Sequence, residues 1–377
     1  MKLVYLSNIF HHLQKPLSEE LFKLTNGSYA FVETSAMANG MAYKGEKASY
    51  VMPYNENNKK DIEGLVFDAE VVLYGEAPMN LIKRRIKAGK LTFRDDERRY
   101  KQVNRYLKWP IYTYNSLTLN KGYLLCASAF AARDYYLSGM SLKRCFKWGY
   151  FPAVKEYDDV ELILNNKKSV KNGVLQIFWT GRLIRLKHPE STIQVAKRLK
   201  DKGIKFEVKI VGDGPLKEIL QHEVDKEGLC DSVKLLGLQP PEIVRSLMEE
   251  SDIYLFTSDR GEGWGAVLNE SMNSACAVVA SPASGSAPFL IRENHNGLFF
   301  KDKNWKDLCE KVIWLIEHPI ERKNIGRNAY KTMLNIWSPQ IAAKNLMSLV
   351  EAIQNNKESD IKEGPCSRAE YLPQKWR

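Results

Sequence analysis

No apolar run in this chain approaches the ~18 residues that a membrane-spanning helix needs, so no transmembrane span is expected. Cysteine is sparse: six occur in 377 residues (Cys126, Cys145, Cys230, Cys276, Cys309, Cys366), with no C-x-x-C pair among them. That scatter argues against a disulfide framework or a zinc site and fits a reducing cytoplasm. Zinc-finger, RNA-recognition and helix-turn-helix signatures are missing, which leaves nucleic acid without support as a partner. The opening Met-Lys-Leu-Val-Tyr-Leu-Ser turns polar too soon for a signal peptide and reads as a first strand.

The composition, 44% hydrophobic and 27% charged, is that of a globular protein, and the length suits two domains with a core each. Net charge is +11 and unevenly spread. Residues 81–108 hold eleven Lys or Arg against Asp95, Asp96 and Glu97, a local excess of +8. Met79, Ile82 and Ile86 recur at spacings of three and four, so the stretch has amphipathic character. An anionic membrane surface is one partner it fits; a solvated basic face fits equally.

The most informative stretch runs from Ile253 to Ser281, IYLFTSDRGEGWGAVLNESMNSACAVVAS. Ile253–Ser258 reads as a buried strand. A Gly-rich turn, a short helix and a second buried strand at Ala277–Ala280 follow. Such a unit points its loop and helix start at the carboxyl edge of a parallel sheet, where open α/β sheets bind ligands. Glu262 precedes the helix and Glu270 lies within it. Eight residues at ~1.5 Å each set them at most about 12 Å apart, room for a diphosphate between a ribose and a hexose. Gly263 and Gly265 let the backbone come close to such a ligand, and a helix N-terminus favours an anion. A plain βαβ connection with two surface glutamates satisfies the same spacing.

The Glu-x7-Glu form EGWGAVLNE, with VVAS after the helix, resembles the donor-site motif of retaining nucleotide-sugar glycosyltransferases of family 4. The resemblance covers most of residues 173–350. Two departures stand out: Ala275 and Ala277 where the family has Gly and Pro, and Gly285, Ser286 and Phe289 where it often has Gly-Gly and a later Glu. Ala tolerates the left-handed backbone of a helix end poorly, so the cap at 275 is expected to suffer.

The resemblance implies a GT-B architecture, α/β, with two Rossmann-like domains facing across a cleft. The linker is expected inside Lys155–Gly173, which is charged and rich in Asn and Lys. Residues 1–165 would then be the acceptor-binding domain, 166–354 the nucleotide-sugar domain and 355–377 a disordered tail. After the strand Val174–Thr180, the segment Gly181-Arg182-Leu183-Ile184-Arg185-Leu186-Lys187 matches the family's Gly-Arg-Leu…Lys element. Arg182 can fork onto phosphate oxygens while Lys187 supplies a point charge. The strand Phe206–Val211 ends in Gly212-Asp213-Gly214-Pro215, and Val233–Gly237 leads to Leu238, which would line a base pocket in relatives.

Expected roles follow. Glu262, Arg182 and Lys187 are catalytic; Glu270, Gly263, Trp264, Gly265, Gly212, Gly214 and Leu238 bind the donor. On the acceptor side the loop after the first strand holds His11, His12 and Gln14, and Glu76 ends another strand; each also reads as an ordinary surface group. Asn39–Asn58 is expected to be a mobile acceptor-side loop. The implied reaction transfers a hexose or N-acetylhexosamine from a nucleoside-diphosphate sugar to a glycan or lipid-linked hydroxyl, with retention. The setting is a cytoplasmic protein, peripheral on the membrane, serving surface-polysaccharide synthesis. No cofactor or essential metal is expected, since no Asp-x-Asp occurs; Asp95-Asp96 and Asp158-Asp159 are adjacent pairs. An epimerase or phosphorylase of the same fold, or a non-catalytic nucleotide-sugar-binding protein, also accommodates these residues.

Overall fold

A computed structural model describes residues 1–34, 45–99 and 121–373, which form two compact units. Among the described residues, one is Met1–Ala153 together with residues 336–373; the other is Val154–Asn335.

The first unit is built on a parallel sheet of β1 (Leu3–Ser7), β2 (Tyr29–Glu33), β3 (Val51–Pro53), β4 (Val71–Tyr74), β5 (Thr92–Asp96), β6 (Tyr123–Cys126) and β7 (Cys145–Lys147). Their order is β3-β2-β1-β4-β5-β6-β7. β1 and β4 are buried at every position, as the centre of a parallel sheet covered on both faces requires. The order reverses between β1 and β4, which pair from Leu3↔Val71 to Leu6↔Tyr74. β3, β5 and β7 are strands that the sequence does not announce. Of the expected mobile loop Asn39–Asn58, residues 39–44 lie outside the described residues.

The basic stretch is part surface and part core: Lys83, Arg84 and Lys87 are exposed. In the helix Met79–Lys87, Leu81, Ile82 and Ile86 are buried in the unit's core, so its apolar face is already covered. Arg85 is wholly buried, and its guanidinium donates to the carbonyls of Val66, Phe67, Ala69, Glu70 and Leu91. It closes the C-terminal end of the helix Lys59–Asp68, where carbonyls lack helical partners. Arg94 and Arg99 pair with Asp96 at 2.8 and 3.2 Å. Lys101, Arg105 and Lys108 lie outside the described residues.

The tail is also ordered as far as 373. The helix Pro339–Gln354 starts at Ser338, whose hydroxyl accepts from the Ile341 amide, and packs on the helix Lys15–Leu24. Beyond it, Lys147 N donates to Ser367 O (2.8 Å) and Cys366 N to Lys147 O (2.7 Å), an antiparallel bridge on the outer edge of β7. An open sheet edge carries unpaired N–H and C=O groups, and this segment satisfies them.

The second unit has a parallel sheet of β8 (Leu175–Thr180), β9 (Phe206–Val211), β10 (Val233–Leu235), β11 (Ile253–Phe256), β12 (Ala277–Ala280) and β13 (Leu298–Phe299). Its order, β10-β9-β8-β11-β12-β13, reverses between β8 and β11. Leu308, Val312 and Leu315 of the helix Trp305–Glu317 are buried in its core, as their helical spacing predicts. The expected linker is not one. Helices Val160–Asn166 and Lys168–Asn172 belong to this unit, with Ile163 and Leu164 packed beside Ala275 and Tyr330, and the Lys167 ammonium on the Ser274 carbonyl at 3.1 Å. The boundaries therefore fall at 153/154 and 335/336 rather than at 165/166 and 354/355.

The helix end at Ala275 keeps its left-handed turn despite the missing glycine, with φ +53°. Cys276 N donates to Ser271 O and Ala275 N to Met272 O, the two bonds of a Schellman cap. Gly326 lies against it: a Cβ there would stand 2.4 Å from the Ala275 carbonyl.

Candidate active site

At the carboxyl edge of the second sheet, the loops after β8 and β11 meet where the strand order reverses, the place at which open α/β sheets form ligand crevices. They are stitched together. Asp259 N donates to Leu186 O (3.0 Å), and the Thr257 hydroxyl donates to Lys187 O (2.6 Å) while accepting from Trp179 Nε1 (2.9 Å). At the mouth of this seam the Lys187 ammonium is ion-paired with the Glu262 carboxylate. Gly261 and Gly265 permit the fit. A Cβ on Gly261 would meet Leu186 at 2.4 Å, and one on Gly265, whose φ is +84°, would meet the Phe256 ring at 2.5 Å.

Other expected donor residues separate into two groups. Arg182 projects from the Lys187 loop, exposed. Glu270 lies in the first turn of the helix Val267–Asn273, and burial pushes its carboxyl up to about 6, opposed by the charge of Arg245. Leu238 is 76% exposed on the loop after β10. The Trp264 ring, by contrast, is buried: its Nε1 donates to Asn269 Oδ1 (2.9 Å) and it packs by Phe289. Its ring builds the loop from inside. Gly212 and Gly214 answer a neighbouring backbone, since a Cβ on either would stand 1.9 Å from Gly181 O or 2.6 Å from Leu183 O. The second departure from the family motif has a local compensation: the Ser286 hydroxyl donates to Trp264 O (2.5 Å), and Gly285 N donates to Glu262 O (3.3 Å).

The first unit carries a cavity of about 750 Å³ at its own strand-order reversal. His11, Gln14 and Glu76 line it; His12 does not and is exposed. Burial, then the neighbouring His12, lowers His11 to about 4, so it is neutral at pH 7. Gln14 Nε2 donates to Ser7 Oγ (3.2 Å). Deeper in the lining stand groups that the sequence reading passed over. Tyr5 OH donates to Asp95 (2.5 Å) and Tyr150 OH to Glu97 (2.7 Å). Burial pushes Asp95 up to about 7; the Tyr5 bond opposes this and the charges of Asp96 and Glu97 reinforce it. Burial pushes Asp96 up too, but Arg94, Arg99 and a bond from Tyr135 together hold it below the usual carboxylate range. The signal available in the sequence was the run of acids directly after Thr92-Phe93-Arg94, at what proves to be a strand's carboxyl end.

Residues 163–332 match the family model described as Glycosyl transferases group 1. The amylovoran biosynthesis glycosyltransferase AmsK of Erwinia amylovora is 34% identical over 184 residues, 48% of this chain and 45% of AmsK. An uncharacterised glycosyltransferase of Methanocaldococcus jannaschii is 34% identical over 127 residues, 34% of this chain and 35% of that one. The chain thus matches about a third to a half of the length of these curated relatives. A crystal structure of Anabaena Alr3699/HepE in complex with UDP shares the fold, with a TM-score of 0.68 over 94% of this chain and all of that one, at 14% identity. That fold is GT-B, two Rossmann-like α/β units, and the two doubly wound sheets here agree with it. Over residues 163–332 the second unit is thus similar to the glycosyl transferases group 1 family.

Proposed function

We propose that the protein is a retaining glycosyltransferase that moves a hexose or N-acetylhexosamine from a UDP- or GDP-sugar to a hydroxyl of a glycan or lipid-linked acceptor in surface-polysaccharide synthesis. The observation that carries this reading is the Lys187–Glu262 pair at the β8/β11 reversal, with Arg182 exposed on the same loop. The barrier lies in departure of a diphosphate from an oxocarbenium-like centre, so fixed positive charge beside the leaving group matters most. Lys187 and Arg182 supply that charge. Glu262 accepts from sugar hydroxyls, Glu270 from ribose hydroxyls, and Leu238 lies against the base. The backbone at Gly263 and Gly265 leaves space for the phosphates, and no metal is needed, so activity persists in EDTA.

The cavity of the first unit takes the acceptor. His11, Gln14 and Glu76 offer donors and acceptors to its hydroxyls, and Asp95, titrating near neutrality, adds a carboxylate that can receive a proton. The names of relatives in amylovoran synthesis and of a UDP-bound neighbour agree with a nucleotide-sugar donor and a polysaccharide product.

The test is release of UDP or GDP from a panel of sugar nucleotides, with and without glycan acceptors. Acceptor-dependent release, abolished in Lys187→Ala, is expected. Turnover without any acceptor identifies an epimerase instead, and no release from any donor overturns the reading.

A further inference from the structure

Lys187 is followed by a residue that neither the motif nor the expected site includes. His188 has φ +49°, a left-handed backbone that a β-carbon makes costly by about 1 kcal/mol or more. Its imidazole is held on both sides: Nδ1 lies 2.8 Å from Glu190 Oε1 and Nε2 3.3 Å from Asp259 Oδ2. Carboxylates only accept, whereas a neutral imidazole has a single N–H and can serve one of them. Both contacts are made at once only by the imidazolium. The Trp305 ring, 5.3 Å away, forms a further wall.

Asp259 is the hub of the opposite loop. Its Oδ1 accepts from Gly261 N (2.8 Å), its carbonyl accepts from Glu262 N (3.0 Å), and its own N–H reaches Leu186 O (3.0 Å). One end of the imidazole bridge therefore sits next to Lys187 in sequence and the other fixes the turn that presents Glu262. We propose that His188 is a positioning residue whose imidazolium clamps the β8 and β11 loops together and so sets the spacing of Lys187 and Glu262 for a nucleoside diphosphate. This rests on the donor-site reading above.

The charged groups facing His188 come from two elements, Glu190 at the start of the helix Glu190–Asp201 and Asp259 on the β11 loop. The Glu190 bond raises the imidazole above its ordinary 6.5, burial opposes, and Asp259 adds to the rise. The clamp is thus closed at low pH and opens as pH rises through the His188 titration.

Two measurements on the full chain test it. Calorimetric titration with UDP and with GDP between pH 6 and 9.5 should show affinity falling about tenfold across the titration, the scale of one charge-assisted hydrogen bond. His188→Asn, which tolerates the left-handed backbone, should bind about tenfold more weakly at pH 6.5 and lose that step. The nucleotide's own phosphate titrates near about 6, so the decisive quantity is the difference between the two profiles. His188→Gly relaxes the backbone strain and should show the same loss. In 13C-histidine NMR the His188 signal should titrate above 6.5 and move down in Asp259→Asn. An unchanged profile in His188→Asn, or a His188 that titrates below 6.5, overturns the clamp while the donor reading stands. Failure of both UDP and GDP to bind at any pH overturns both.

Discussion

Replacing Lys187 with Met removes one charge and little volume. Glu262 then loses its counter-ion in a setting where the two side chains are only 14% and 13% exposed. Removing one partner of a fully buried pair costs roughly 3–5 kcal/mol, while an exposed pair contributes about 0–1. With residual solvent access and a carboxylate free to take up a proton, about 1–2 kcal/mol of stability should be lost from the ligand-free protein. Catalysis should suffer more. Loss of a fixed positive charge beside the departing diphosphate is worth about 10²–10³ in kcat, roughly 3–4 kcal/mol. Lys187→Met/Glu262→Gln separates the two effects, because it leaves no unpaired charge. Its denaturant midpoint should return near that of the unmodified protein, while its transfer rate stays low. Both are read on one preparation, by urea titration followed by fluorescence and by nucleoside-diphosphate release at saturating donor. A double variant that regains the rate, or a single variant with undiminished kcat, would mean that Lys187 serves only as the counter-ion of Glu262.

Asp95 gives a pH prediction. Its carboxyl titrates at about 7 in the fold against an ordinary 3.8, so its contribution to stability is full below about 4 and is lost as pH rises through 7. A difference of about 3 at ~1.4 kcal/mol each makes the loss about 4 kcal/mol at most; urea midpoints of Asp95→Asn between pH 4 and 8 should lack this slope. Arg85→Leu strands the carbonyls that end the helix Lys59–Asp68 and should cost about 3 kcal/mol or more, seen as a fall in the melting temperature of the first unit. Gly212→Ala forces a Cβ to within 1.9 Å of Gly181 O at φ +140°. It should shift the Arg182 loop, destabilise the second unit by about 1–3 kcal/mol and raise KM for the donor; a wild-type KM would show that the loop yields without consequence.

Continuous apolar runs made much of the fold legible. Tyr29–Glu33, Phe206–Val211 and Ala277–Ala280 are strands over the residues that their sequence marks. β5 was hidden because Thr-Phe-Arg-Asp-Asp is three-fifths charged: its outer half opens into a cavity instead of a core, and the basic run around it reads as helix. The Tyr5–Asp95 contact joins residues 90 apart, and the Lys187–Glu262 pair residues 75 apart. Local pattern carries no trace of either. The motif located Glu262 and Lys187 in the chain, but spacing could not say that they touch, nor that the Trp264 ring turns inward. The edge pairing at Cys366–Ala369 has no signature either, since any extended backbone can fill an open edge.

Among the described residues, the first unit is made of two stretches of chain with Val154–Asn335 of the second between them. At about 5–20 residues per second, a ribosome spends roughly 10–40 s on Val154–Asn335 after Ala153 has emerged. During that interval the N-terminal part of the unit lacks its closing helix and the outer margin of β7 stands bare, a template for pairing with a neighbouring nascent chain. The later-encoded unit, being continuous, can fold to completion first. Biogenesis then runs out of sequence order, and this protein's demand for chaperone shelter should be concentrated in its earliest-made residues.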